Sequence, residues 1–327
     1  AFTDRAADEA LGLAVARNHD QPVTTVNESG VTVRAQAVRS LWGPDALGIY
    51  YACGDPYRPG DVYYCLPDQP DHWPVTNRVA VAAPSQELQA GMLYGPQALV
   101  ASRDLFYFLY ADPSTGLVTA SPSACRRGLF VPWGFVVGPG GVYFIEHDGI
   151  YRTDGGPEES LTDAFLFDLF HGVARSGSSP VDFNVPAALK LEIHDNELWF
   201  LYQDTGGARQ VLILNLLERV WRARYSFGRA IAALLSEHQE AAIGSQLVLG
   251  GSATGAAYTH TGTTDDSVAI AAQIRTGALD QARPREEKLY GDLIVDLTRG
   301  GQTGTVQCHI NNEAAALGAQ TISAGVG

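Results

Sequence analysis

Apolar positions along this chain fall in alternating or continuous runs of about four to eight residues, bounded by Gly, Pro, Asp and Asn. That is the rhythm of strands. The clearest run is Val142-Tyr143-Phe144-Ile145-Glu146-His147, then Asp148-Gly149, then Ile150-Tyr151-Arg152-Thr153. Asp-Gly between two β-rich runs predicts a tight hairpin, because both turn positions favour positive φ. A second hairpin is predicted between Leu198–Tyr202 and Val211–Asn215, around the polar loop Asp204-Thr205-Gly206-Gly207. Val220–Tyr225 follows at once, so the three strands form a meander. Helical periodicity is confined to two places. Arg5–Arg17 reads as a short Ala-rich helix. Thr162 is placed to cap a helix over Asp163–Phe170, with Asp163 in its first turn and Phe165, Leu166, Leu169 and Phe170 as its apolar residues.

The strand starts repeat. Gly43-Pro44, Gly95-Pro96 and Gly138-Pro139 each precede an apolar run, and Asp195-Asn196 and Gly244-Ser245 open similar runs. Successive marks lie roughly 43 to 57 residues apart, close to the period of a β-propeller blade holding about four strands. The expected fold is all-β: a β-propeller of about five to seven blades with a short helix insertion and a small C-terminal β segment. A pair of β-sandwiches is the competing architecture. The propeller is expected over residues 1–275, with an N-terminal segment, and the C-terminal β segment over 276–327. Strands are expected near Ile270–Leu279, Leu289–Leu297 and Thr305–Ile310, around the charged run Arg283–Lys288. Ala at position 1 and the abrupt end Ser323–Gly327 predict a trimmed chain whose last sheet is incomplete.

Composition narrows the reading. Of 327 residues 46% are hydrophobic and 18% charged, enough for an ordered core. The 35 Gly and 17 Pro match many short strands joined by tight turns. A net charge of −14 opposes sequence-specific DNA binding; by itself it reads as a solubilising surface, and it leaves open a channel through which DNA slides without sticking. The longest uncharged run, Gly128–Ile145, is broken by Pro132, Gly134, Gly138, Pro139, Gly140 and Gly141. It reads as strand, turn, strand, and no membrane association is expected. Cys53, Cys65, Cys125 and Cys308 form no C-x-x-C pair, and no His stands at metal-ligand spacing from them. A Cys53–Cys65 bridge across one hairpin and free buried thiols are both compatible with the spacing.

No residue cluster makes a persuasive catalytic site. In Glu146-His147-Asp148 a strand would point Glu146 and His147 to opposite faces, and the hairpin accounts for Asp148. Asp265-Asp266 and Glu158-Glu159 are adjacent carboxylates in loop contexts, whereas a glycosidase pair must flank one bond at a set separation. Gly250–Gly255 is not a nucleophile elbow, and no phosphate-cradling loop occurs. Expected, therefore, are no enzymatic activity, no cofactor and no metal. Arg222 and Arg224 alternate with Trp221, Ala223 and Tyr225, which predicts one basic and one apolar face, with Arg219 and Arg229 nearby. The aromatic pairs Tyr50-Tyr51 and Tyr63-Tyr64, and Phe106-Tyr107-Phe108, read as core and rim residues.

Three stretches carry a family resemblance. Tyr64–Asn77 is Pro-rich, with Trp73 ahead of Asn77 and a strand. Val142–Tyr151 leads through Asp154-Gly155-Gly156 to Ser160-Leu161-Thr162-Asp163. Further on stand Thr276-Gly277-Ala278 and Glu287-Lys288. Together they resemble the propeller domains of tailed-phage tail nozzle (tail tubular) and packaged-DNA-stabilising hub proteins, over roughly residues 40–300. Members of that family are usually longer. The resemblance implies a structural protein of the phage tail: a homo-oligomeric ring, of six copies, below the portal. Its partners would be the portal or adaptor, other tail proteins and genomic DNA passing non-specifically. The alternative is a tail-fibre or baseplate propeller binding host glycan, motivated by aromatics near Tyr57, Tyr63 and Trp73. For a DNA conduit, Asp104, Asp112, Glu158, Glu159, Asp265 and Asp266 are the candidate lumen carboxylates, because an acidic wall does not hold phosphates. Arg219, Arg222 and Arg224 are the candidate subunit contacts.

Overall fold

The computed structural model describes residues 24–26, 32–34, 38–74, 76–163, 166–174, 179–225, 231–238, 245–251, 255–259, 264–265, 268–269, 304–308 and 318–322. Two short strands, β1 (Thr24–Val26) and β2 (Thr32–Arg34), pair as a hairpin. Five antiparallel meanders follow in chain order. Sheet one holds β3 (Ser40–Trp42), β4 (Tyr51–Asp55), β5 (Arg58–Tyr64) and β6 (Arg78–Ala80). Sheet two holds β7 (Leu88–Tyr94), β8 (Gln97–Ser102), β9 (Phe106–Ala111) and β10 (Val118–Pro122). Sheet three holds β11 (Phe135–Gly138), β12 (Gly141–Glu146), β13 (Gly149–Thr153) and β14 (Glu159–Ser160). Sheet four holds β15 (Lys190–His194), β16 (Glu197–Gln203), β17 (Arg209–Asn215) and β18 (Val220–Tyr225). Sheet five holds β19 (Ile231–His238), β20 (Ser245–Gly251) and β21 (Ala257–Thr259). Two further hairpins pair β22 (Thr264–Asp265) with β23 (Val268–Ala269) and β24 (Gly304–Cys308) with β25 (Gly318–Ile322).

The sheets stack face to face, and period-two alternation divides each strand between two cores. Leu198, Phe200 and Tyr202 of β16 join a cluster with Tyr143, Ile145 and Ile150 of sheet three. Trp199 and Leu201, between them, join Ile231, Leu247 and Leu249 of sheet five. Likewise Ala98 and Val100 of β8 pack on sheet one, while Leu99 and Ala101 pack with Val142 and Phe144 of sheet three. Among the described residues four cores therefore alternate with five sheets. The first strands make a series of their own: β3 packs against β7, β7 against β11, β11 against β15 and β15 against β19. Close approach fixes one of these contacts. Gly91 on β7 has no side chain because the Trp42 ring fills the space where one would lie, and its N–H donates to Ser40 Oγ at 3.1 Å.

The repeat read from the sequence falls on equivalent positions. Gly43-Pro44, Gly95-Pro96, Gly138-Pro139 and Asp195-Asn196 all lie at the connection between the first and second strands of their sheets, Ser245 opens the second strand of sheet five, and Gly244 lies outside the described residues. Asp195 (φ 48°) and Asn196 (φ 62°) make the two-residue, positive-φ turn that a hairpin prefers.

Several local expectations are corrected. In the hairpin of sheet three, Glu146 pairs with Gly149, so the turn residues are His147 and Asp148, and Gly149 opens β13. Gly149 is needed for space: a Cβ there would lie 2.4 Å from Thr162 Oγ1. Thr162 caps no helix. Its buried hydroxyl accepts the Ile150 N–H at 3.1 Å, and the helix is the single turn α1 (Phe167–Phe170), preceded by Leu166 with no side-chain cap. On β18 the register shifts where Trp221 faces Leu214 and Ala223 faces Ile213, leaving Arg222 as the extra residue of a bulge. The strict alternation expected from Trp221 to Tyr225 is therefore interrupted. Cys53, Cys65 and Cys125 are buried free thiols, and Cys53 stands opposite Val62, out of step with Cys65. The expected helix Arg5–Arg17 and strands Ile270–Leu279 and Leu289–Leu297 lie outside the described residues, and Thr305–Ile310 overlaps β24.

Candidate functional site: a charged cleft between sheets two and three

A charged cleft of about 330 Å³ is lined by Arg103, Asp104, Arg126, Arg127, Gly128, Glu146 and Glu158. Each lining residue comes from a connection or a strand end. Arg103 and Asp104 form the turn between β8 and β9, where the buried Ser102 hydroxyl accepts the N–H groups of Asp104 and Leu105. Arg126, Arg127 and Gly128 belong to the connection from β10 to β11. Gly128 lets that connection lie flush on the turn: a Cβ there would meet the Ser102 carbonyl at 2.3 Å, and Leu129 N–H donates to the same carbonyl. Glu146 ends β12, Asp148 is in the turn after it, and Glu158 closes the connection between β13 and β14.

Arg127 gathers the carboxylates. Its Nη1 donates to Asp148 at 2.7 and 2.9 Å and to Glu146 at 3.2 Å, and its Nε lies 3.6 Å from Glu158. Its guanidinium carbon stands 4.2 Å from the centroid of the Tyr151 ring, whose hydroxyl donates to Asp148 at 2.9 Å. Burial alone pulls Arg127 down, but the bond to Asp148 and the surrounding negative charge carry it above its ordinary value. Burial pushes Glu146 up, and the neighbouring Asp148 adds to the rise. Asp148 moves the other way, because the hydrogen bonds from Tyr151 and Arg127 outweigh its burial. Glu158 is also lowered, its burial outweighed by the Arg126 N–H that it accepts at 3.0 Å.

Two carboxyl groups displaced in opposite directions within one cleft are what acid–base chemistry uses. Here Glu146 and Asp148 are in hydrogen-bond contact with each other, and Arg127 Nη1 donates to both, which ties the β10–β11 connection to sheet three. The arrangement is that of an ion-paired clasp, with Arg103 and Arg126 exposed at its rim. Aromatic rings continue the surface. His147 stacks on Phe183 (4.7 Å, 22°), Phe130 meets both edge-on, and Arg103 lies 5.2 Å from the Phe130 centroid.

The residues singled out in the sequence are distributed as follows. Asp104 and Glu158 both line the cleft. Glu159 pairs with Arg219 at 2.6 Å and lies 3.6 Å from Arg152. Arg219, a candidate subunit contact, is thus engaged within its own chain, between sheets three and four. Asp112 is exposed and accepts from Ser114 N–H and Oγ in the β9–β10 turn, which holds its carboxyl below the usual range. Asp265 pairs with Val268 through the backbone of β22, Arg222 sits at the bulge of β18, and Arg224 stands opposite Leu212. Asp266, Arg229 and the stretches near Thr276 and Glu287 lie outside the described residues. Of the aromatics considered for glycan binding, Tyr63 and Trp73 are core residues and only Tyr57 is exposed, so they form no common platform. Arg127 and Tyr151 were not singled out from the sequence. Their partners are 19 to 31 residues away from Arg127, or across a hairpin, and no local spacing marks them.

Among the described residues no group of three or more His, Cys, Asp or Glu side chains could hold a metal ion, and no helix is long and apolar enough to cross a membrane. No protein-family model matches the chain, and no curated protein matches it.

Proposed function

We propose that this chain is a structural subunit of a tailed-phage virion, a β-propeller of the nozzle or hub type that assembles as a homo-oligomeric ring on the path of the genome. The observation that carries the reading is the serial order of the sheets. Five meanders follow one another, four of them with the repeat mark at the same described turn; among the described residues they share four cores and bring their first strands together one after another. That order is the one a propeller of five to seven blades requires. The stretches resembling nozzle and hub propellers fall on defined parts of it: Tyr64–Asn77 spans the β5–β6 connection, and Val142–Asp163 spans β12 to the end of β14 and beyond. The chain's net charge of −14 suits a wall that DNA passes without adhering. Arg127, bonded among the cleft carboxylates, favours a structural role for them over hydrolysis.

In this reading the propeller and its N-terminal segment occupy residues 1–275, and residues 276–327 begin a separate β segment. Six copies stand between the portal or adaptor and the remaining tail proteins. The test is native mass spectrometry and negative-stain microscopy of the full chain, together with localisation in intact particles. The expected result is a ring next to the portal. A protein that stays monomeric at all concentrations and forms no ring in particles overturns the proposal, and its presence on a distal spike favours glycan recognition instead.

A further inference from the structure

Lys190 opens β15 and Arg209 opens β17, on either side of β16. In the ladder Lys190 stands opposite Leu201 and Arg209 opposite Gln203. Leu201 and Gln203 are two residues apart on β16, so all four positions belong to one face of the sheet. Two cations thus stand at the same end of the same face. Neither is in an ion pair among the described residues, although the chain carries 36 acidic side chains against 22 basic ones. Arg209 Nη1 is shut off from solvent and has no hydrogen-bond partner. Lys190 Nζ lies 4.5 Å from the centroid of the Trp133 ring, and Trp133 is 43% exposed. Burial lowers both cations from their ordinary values, and the charge of Arg209 lowers Lys190 further. A buried donor without an acceptor and two like charges on one face are each unfavourable until an anion arrives.

We propose that Lys190 and Arg209, with Trp133 beside Lys190, form a binding site for a phosphate dianion, either inorganic phosphate or a phosphate monoester. Charge balance selects this class. Two cations call for two negative charges, and a monoester phosphate carries about −1.5 to −2 near neutral pH. A carboxylate or a phosphodiester carries one and leaves a cation unmatched. The guanidinium fork and the ammonium point charge are the usual pair of phosphate donors. The exposed part of the Trp133 ring offers a surface to whatever group the phosphate carries. The site stands apart from the ring assembly, and its failure would leave that reading untouched.

The test is calorimetric titration of the full chain with inorganic phosphate at low ionic strength, with tryptophan fluorescence as a second readout. Saturable one-to-one binding is expected. Lys190→Met and Arg209→Gln should each weaken it at least tenfold, while Arg39→Gln, which removes an arginine paired to Glu87 on another sheet, should leave it unchanged. Acetate and dimethyl phosphate should bind at least tenfold more weakly than phosphate. Adenosine 5′-monophosphate is the monoester probe. A tighter fit that Trp133→Ala abolishes supports a ring-bearing monoester, and an affinity equal to that of phosphate supports the phosphate group alone. Should Arg209→Gln melt early, Arg209→Lys keeps the charge and loses the fork, and is expected to weaken phosphate several-fold. The proposal is overturned by the absence of saturable binding at 10 mM phosphate. It is also overturned by acetate binding as tightly as phosphate, or by full affinity in a folded Lys190→Met/Arg209→Lys variant.

Discussion

Replacing Gly91 by Ala tests whether sheets one and two interlock as described. The backbone offers no objection, since Gly91 is not among the positive-φ glycines, and in a strand Ala would otherwise be preferred to Gly. The objection is steric. A Cβ at Gly91 would lie 2.2 Å from Cε2 and Cζ2 of Trp42. Ordinary carbon–carbon contact is about 3.5–4.0 Å, so the indole must retreat by about 1.5 Å. Trp42 is buried and stacked on Tyr51 (5.7 Å, 21°), which leaves it nowhere to go without displacing a second core ring. Overpacking of this kind costs about 1–3 kcal/mol, and the fixed ring places Gly91→Ala toward the upper end. For a domain of this size that is a fall in Tm of about 4–10 °C. Thermal and urea unfolding followed by circular dichroism measure it. Trp42→Leu vacates the space, so Gly91→Ala in that background should cost less by about 1 kcal/mol or more in a double-mutant cycle. A neutral Gly91→Ala, or the same penalty in both backgrounds, refutes the packing of β3 on β7.

Asn196→Gly should raise stability and Asn196→Val lower it by about 1 kcal/mol or more, since φ is 62° at this turn position; a lower Tm for the glycine variant contradicts the turn assignment. Burial pushes the Cys53 thiol up from 9.0 to about 12 and the Cys125 thiol to about 11, so their thiolate fractions fall about a thousandfold and a hundredfold. Iodoacetamide at pH 8 should therefore spare both in the native protein and label both in denaturant, and peptide mapping should find no Cys53–Cys65 bridge. Asp148 is lowered from 3.8 in the folded protein, so it contributes stability that is present above that value and is lost as pH falls through its lowered folded pKa. Asp148→Asn should accordingly lower Tm at pH 7 by about 2 °C, a small figure because the site is partly solvated, and the gap to wild type should close below about pH 4. A gap that persists unchanged at pH 3 removes the clasp as its source.

Much of the strand order was legible because it rests on local chemistry. Alternating apolar residues and punctuating Gly, Pro and Asp are written in short windows, and the four fully described repeat marks found the same turn of their sheets. The failures occurred where a distant contact overrode the local preference. Gly149 looked like a turn residue, yet it is small because Thr162 presses on it from twelve or more residues away. Thr162 looked like a helix cap, yet its hydroxyl is spent on Ile150. Arg222 looked like one member of an alternating face, yet a bulge makes it the odd residue. The cleft was the least legible part. Asp104 and Glu158 were singled out as carboxylates, but Arg127 joins three stretches of chain that only folding brings together.

The alternation of five sheets with four cores has a mechanical consequence. Each inner sheet is held chiefly by its two neighbours, and among the described residues sheets one and five by one each, so the array behaves as links in a chain and its cohesion is a sum of nearest-neighbour couplings. Damage to one link, such as a cavity at Phe144 between sheets two and three, is felt at that junction and fades beyond the next sheet. Tension between distant sheets is transmitted undiminished through every junction, and the weakest one sets the force at which the array parts. Shortened β-contacts or lost rings at one junction thus lower the breaking load without altering the others, and rupture proceeds sheet by sheet.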